Sequence, residues 1–400
     1  MISLTALQEQ SNSLSARSGD IAIYDVRMDG RRLEEAPEKA LYAKHQALLR
    51  SYQGRYVLLP SVAPKGDIIV ALSQRYDPRA MLSLDAMRAD LEDEVIAPVL
   101  LAASERVAGQ DARSYMGRLL PQVRNTPPSA FLSYLDASPQ REHHYRNFLI
   151  QSSADLLAEA SASALGVVGE FGEPQSALFR ILIDEFGYGE HAKKHSQLFR
   201  KTLSGFDLNT EYNAYWPLWD TPALAIHNTI HCLFQSPRHF FKQVGFLLFA
   251  ETAYQHSTGE HFRYLKKHHP SVDGTYFGEH AHIDIHHTRM VVEEVVVPLV
   301  DKFGPTAGHE ILIGAEATRA VFKAGDAHML ALSKAFDAAV SSGHAVYGLP
   351  ANIPDGDAVM PGTGQASEAA FQVGGIGRVT KTAAFAAFPE GSVGRHEGAS

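Results

Sequence analysis

The sequence is poor in cysteine and in positive charge, and it has no long apolar run. A single cysteine among 400 residues, Cys232, excludes an internal disulfide framework and a cysteine-rich zinc site. Lysine and arginine number 36 against 45 aspartates and glutamates, a formal net charge of −9. A net acidic chain lacks the cationic footprint that phosphate backbones demand, so nucleic acid is not an expected partner. No apolar stretch approaches the roughly 18 residues of a membrane span. The opening MISLTALQEQSNSLSARSGD also lacks the charged-then-apolar pattern of a signal peptide. A cytoplasmic protein with no membrane partner is expected. At 45% hydrophobic and 20% charged, the composition is that of an ordinary folded chain, long enough for one large domain or several smaller ones.

Histidine is what the sequence has in excess. There are 20, of which 13 fall between His191 and His287. Imidazole is the commonest metal ligand and the usual acid–base group near neutral pH, so this crowding points to a metal or acid–base site. Scattered surface histidines are the plain alternative.

The periodicity predicts an all-α protein. A helix is expected over 36–52, then two short apolar runs, YVLLP and DIIVALS, which pattern leaves open as strands or loops. Another helix is expected over 84–107 with a kink at Pro98. Further helices are expected over 142–165, 173–186, 190–203, 220–234, 238–256, 258–269, 276–302 and 306–340. Asp220-Thr221-Pro222 and Ser236-Pro237 read as helix starts. From about 350 the chain turns Gly-, Ala-, Ser- and Pro-rich, as a loop or disordered tail would be. No internal repeat is visible. The division is an N-terminal, mainly helical extension (1–130), a helical core (131–345) and a tail (346–400).

The sharpest local signal is YFGEHAHIDIHHTRM. On a helix advancing about 100° per residue, His280, Asp284 and His287 lie within a stripe of roughly 60°. Helical bundles present metal ligands inward in this way. His282 and His286 point elsewhere. In FFKQVGFLLFAETAYQHS, Glu251 completes an apolar stripe with Val244, Leu247 and Leu248 and so faces the core. In FLIQSSADLLAEASASAL, Glu159 shares a stripe with Phe148, Ser152, Leu156 and Ser163, whose serines also suit a half-exposed face. Carboxylates are seldom buried unless paired or metal-bound, and an ion pair with Arg or Lys competes at each glutamate. In DEFGYGEHAKKHSQLF, Glu185 ends one helix and His195 sits on the next. An ideal helix would hold them about 80° apart, so they converge only if FGYG re-aims the chain.

Taken together, DEFGYG followed by His195, then LFAET with Glu251, then HAHIDIHH resembles the haem-oxygenase-like diiron oxidases over about 142–340. That resemblance implies a haem-oxygenase-like helical bundle holding two irons, Fe(II) or Fe(III), in place of haem. Glu185, His195, Glu251, His280, Asp284 and His287 fit the family's ligand pattern in identity and order. Glu159, as an extra glutamate on the first core helix, is similar to the N-oxygenating branch, as are its spacing to Glu185 and that from Glu185 to Glu251. No catalytic residue beyond these seven metal ligands, and no other cofactor site, is implied. Dioxygen is the implied co-substrate, with an external reductant as electron donor. The implied reaction is oxidation of the nitrogen of a small amine or amino-acid-like substrate in natural product biosynthesis. Oxidative C–C cleavage or desaturation of an amino or fatty acid is the alternative. The N-terminal extension resembles one that helps larger members form homodimers. No cupin follows the bundle, so a second oxidation by such a domain is not expected.

Carboxylate and imidazole ligands suit iron(II), and a shared glutamate can hold two metals about 3.5–4 Å apart. Glu159, Glu185, Glu251 and Asp284 together carry −4, which balances two ferrous ions. Two other readings remain. His282-Ile-Asp284 is an HxD motif, as in mononuclear iron oxygenases, but those sit on strands. A helical protein that only stores metal is the non-catalytic option. Cys232 reads as a core residue. Tyr188, Trp216, Trp219, Phe234 and Phe249 are candidates for a substrate pocket or for plain core.

Overall fold

Asp67 opens the first difference between expectation and structure. Its Oδ1 accepts the backbone N–H of Ile69 at 2.9 Å, so the DIIVALS run starts a helix rather than a strand. The computed structural model describes residues 37–59 and 67–341, and every regular element among them is helical. The expected irregular start (1–30) and the Gly/Pro-rich tail lie outside the described residues. YVLLP reaches Leu59 without regular structure.

Six helices precede the core: α1 (Pro37–Gln53), α2 (Ile68–Arg75), α3 (Pro78–Val95), α4 (Ala97–Val107), α5 (Ala112–Arg124) and α6 (Ala130–Ala137). Asp77, Asp111 and Ser129 cap α3, α5 and α6 by accepting backbone N–H groups of the first turn. The expected kinked helix over 84–107 is two helices, because the chain turns at Ile96 and Pro98 falls in the first turn of the second, where no donor is needed. Eight further helices follow: α7 (Arg141–Leu156), α8 (Ser161–Gly166), α9 (Glu173–Glu185), α10 (His195–Gly205), α11 (Thr221–Gln235), α12 (Phe240–His268), α13 (Thr275–Met290) and α14 (Val297–Ser341). A π-helical turn, Val291–Val296, links the last two, and Gly304 (φ 78) breaks the path of α14 ahead of Pro305.

Three expected boundaries move. The helix expected over 142–165 stops at Leu156, since Ala160 adopts φ 65 and cannot continue a helix. The helix expected from 190 begins at His195. The two expected over 238–269 are one continuous α12, because Ser257–Gly259 carries no breaking dihedral. As expected, Asp220 caps α11 through the N–H of Ala223, but Ser236 makes no side-chain cap and α12 starts at Phe240.

Two apolar clusters flank the middle of the bundle. One gathers Val244, Leu247 and Leu248 of α12 with Met290 and Val291, Leu178 and Ile181 of α9, and Ile311 and Leu312 of α14. The other gathers Tyr264 and Leu265 at the far end of α12 with Tyr276 and Phe277 of α13, Phe199 of α10 and Leu149 of α7. Between them lie Glu251 on α12 and His280 to His287 on α13. Helices α12 and α14 cross so closely that a Cβ on Gly245 would stand 1.9 Å from the Ile311 carbonyl oxygen, and one on Gly314 would stand 1.9 Å from that of Lys242. This contact locks the helix carrying Glu251 in place. The extension is not detached. Leu48 and Tyr52 of α1 and Leu91 of α3 pack on the buried Cys232 of α11, the core role expected for that cysteine. Trp216, Trp219 and Phe234 are also core, whereas Tyr188 is 54% exposed. No helix among the described residues is long and apolar enough to cross a membrane.

Candidate metal centre

His280, Asp284 and His287 are 3%, 0% and 0% exposed, so the stripe of α13 faces inward as expected. His282 and His286 lie on the exposed face. His282 and Asp284 therefore point to opposite sides, and on a helix the HxD reading fails. Glu251, on the adjacent face of α12, is buried and pairs with His287 rather than with an arginine or lysine: its Oε2 is 3.2 Å from His287 Nδ1.

The FGYG junction does what an uninterrupted helix could not. Gly187 (φ 69), Tyr188 (φ 57) and Gly189 (φ 81) reverse the chain after Glu185. A Cβ on Gly187 would lie 2.4 Å from the Lys194 backbone nitrogen, so the turn closes only on glycine. The reversal brings the last residue of α9 and the first of α10 face to face, with Glu185 Oε2 2.7 Å from His195 Nδ1.

Glu159 reaches the same place by a different route from the one expected. It lies in the turn between α7 and α8, not on a helical stripe. From there its Oε1 is 3.2 Å from His280 Nε2 and accepts the Tyr276 hydroxyl at 2.7 Å.

Two groups of donor atoms result, each converging within 4.8 Å: Glu159, Glu185, His195 and His280, and Glu185, Asp284 and His287. Glu185 belongs to both. It turns Oε2 to His195 and Oε1, at 3.7 Å, to His287 Nδ1. Asp284 Oδ1 stands between the groups, 3.4 Å from His280 Nδ1 and 3.5 Å from His287 Nδ1. Donors about 2.1 Å from one cation and at right angles are about 3 Å apart, so separations of this size suit ligands around an ion. Glu159 Oε2, His195 Nδ1, His280 Nε2 and Asp284 Oδ2 are buried without a hydrogen-bond partner among the described residues. His195 Nδ1 and Glu185 Oε2 are thus in contact without hydrogen-bond alignment.

The electrostatics ask for positive charge at the centre. Burial works against a charged imidazole, yet the Asp284 and Glu159 carboxylates hold His280 well above its ordinary value. Against the same burial, hydrogen bonds to Asp284 and Glu251 push His287 up to about 11. Burial alone would raise Glu185, but His195 beside it draws it down to about 2. Glu251, buried next to Asp284 and Glu185, is pushed up to about 7 despite its bond to His287. A divalent cation supplies this charge without protons.

One site residue escaped the sequence reading. Asp184 Oδ2 accepts the Nε2–H of His287 at 3.1 Å, leaving Nδ1 to face the centre. Such carboxylate–histidine contacts fix the ring and its tautomer. Asp184 directly precedes Glu185, and only that adjacency could have drawn notice.

Residues 146–322, which carry all seven candidates, match the model of a family described as iron-containing redox enzymes. A nitrosourea synthase of Streptomyces achromogenes subsp. streptozoticus is 37% identical over 196 residues, 47% of this chain. The match covers 40% of that relative's length, well under two thirds of it.

Proposed function

We propose that this protein is a diiron oxygenase that oxidises the nitrogen of a small amine or amino-acid-derived substrate. The observation that carries the reading is the placement of Glu185 in both donor groups, which suits one carboxylate spanning two cations. In this reading Glu159, Glu185, His195 and His280 hold one iron. Glu185, Asp284 and His287, with Glu251 beside them, hold the other. Bound iron(II) would supply the electrons and the open coordination for dioxygen activation.

The chain's own residues set the frame for that chemistry. The four carboxylates neutralise two divalent ions, Asp184 fixes the ring of His287, and the two apolar clusters keep bulk water from the centre. Nitrogen is favoured over carbon by two things: the seventh candidate, Glu159, within the cluster, and the likeness to a nitrosourea synthase, whose product name denotes an oxidised nitrogen. For a primary amine the balance is R–NH2 + O2 + 2e− + 2H+ → R–NHOH + H2O, so an external electron donor completes the system. The proposal extends to a homodimer using the 1–130 extension, with 131–345 as the catalytic unit.

The test is anaerobic loading of the full chain with iron(II), a pulse of oxygen, and a panel of amines and amino acids read by mass. Two irons per chain and a hydroxylamine or nitro product are expected. An alkene or a chain-shortened acid, with decay slowed by carbon-bound deuterium, would establish carbon chemistry instead. Binding of zinc alone would end the diiron reading.

A further inference from the structure

Six of the seven candidate ligands sit on helices. Glu185 and His195 occupy helix ends, Glu251 the middle of α12, and His280, Asp284 and His287 one face of α13. Glu159 alone is on a turn, next to the left-handed Ala160 (φ 65). Its backbone therefore does not aim its long side chain, and something else must.

Tyr276 is that something. It lies one turn before His280 on α13 and is 3% exposed. Its hydroxyl donates to Glu159 Oε1 at 2.7 Å. Oε2 is left buried and without a hydrogen-bond partner among the described residues. The Tyr276 ring also packs edge-on to two imidazoles, 4.8 Å from that of His280 and 6.5 Å from that of His195. Phe199 closes the other side at 5.2 Å. Tyr276 thus touches Glu159, His195 and His280, three of the four members of one donor group. Among the described residues it makes no hydrogen bond or ring contact with Asp284 or His287.

We infer that Tyr276 is a positioning residue that selectively builds one of the two metal positions, by holding Glu159 through one oxygen and presenting the other. The inference rests on the diiron reading above. The hydroxyl spends its one hydrogen on Glu159 Oε1 and so holds that carboxylate by one oxygen. It removes the rotamer freedom that a glutamate on a turn would otherwise lose on binding metal. Removing such an outer contact typically lowers metal affinity about 10–100-fold.

The experiment titrates the full-length chain anaerobically with iron(II) and follows each ferrous position by near-infrared magnetic circular dichroism. Wild type, Tyr276→Phe, Glu159→Ala and the double variant are compared, with thermal unfolding before loading as the fold control. In Tyr276→Phe, one binding step should weaken about 10–100-fold with a changed spectrum for that iron, and the other step should stay as in wild type. Glu159→Ala should weaken the same step, and adding Tyr276→Phe to it should weaken that step little further, as expected of two residues acting through one contact. Unchanged binding in Tyr276→Phe, equal weakening of both steps, or strictly additive losses would each overturn the inference while leaving the diiron reading intact. Failure of the wild type to take up two irons would overturn both.

Discussion

Removing Glu185 should disable both metal positions at once, whereas removing Glu251 should disable one. Glu185 is 8% exposed and turns one oxygen to each donor group, 2.7 Å from His195 and 3.7 Å from His287. Among the described residues, Glu251 makes its hydrogen bond to His287, at 3.2 Å. Withdrawing one charge from a buried, compensated cluster costs about 3–5 kcal/mol. At about 1.4 kcal/mol per decade, Glu185→Ala should lower affinity by about two to four decades at each position. Glu251→Ala should do so at one. Because Glu185→Ala also strips the buried His195 of its counter-charge, Glu185→Gln serves as a shape-preserving companion that loses the charge alone. The assay is equilibrium dialysis of full-length protein against iron(II) without oxygen, with bound metal counted per chain. If Glu185→Ala and Glu185→Gln each kept one iron at wild-type affinity, Glu185 would not span two cations. The argument for a shared carboxylate would then be wrong.

Two further outcomes follow from contacts around this centre and from the rest of the core. Asp184→Ala should lower iron affinity about 10–100-fold, because His287 loses the partner of its Nε2–H. Asp184→Asn, which can still accept that hydrogen, should lose less, and equal losses in an iron titration would refute the role. Away from the centre, burial holds His143 and His231 down to about 3 and His227 to about 4, so all three stay neutral in the folded chain. The unfolded chain takes up protons at these residues below about pH 6.5, so their stability contribution is complete above that pH and is lost as pH falls toward the folded values. Each should cost about 2 kcal/mol by pH 5. Urea midpoints should therefore drop between pH 7 and 5, and a flat profile would contradict the burial of neutral imidazoles.

The local pattern was enough for the helix that carries most of the centre. His280, Asp284 and His287 share a face by the arithmetic of the α-helix, and Glu251 completes an apolar stripe by the same arithmetic, so neither needed a fold to be seen. The all-α class was legible for the same reason, since 3.6-residue periodicity is written in side-chain polarity along the chain. Helix ends were legible where a side chain supplies the cap, as at Asp220, and obscure where a backbone dihedral decides, as at Ala160. Short apolar runs carry too few turns to show a period, which is why 68–75 could be read only once its Asp67 cap was visible.

What the sequence could not contain is convergence. Glu159 shares no helical stripe, and it reaches His280 from the turn between α7 and α8, where Ala160 is left-handed and a tyrosine hydroxyl catches the side chain. Glu185 and His195 meet only because three successive residues of positive φ fold the chain back on itself. Asp184 earned no notice, since its role depends on a histidine 103 positions away. Residue types and helical faces are local properties, set by the dihedral preferences and polarity of a few neighbours. The sharing of one carboxylate between two donor groups is a property of three helices and a turn packed at particular depths and angles. That packing is decided by close contacts such as Gly245 against Ile311, which no single segment encodes.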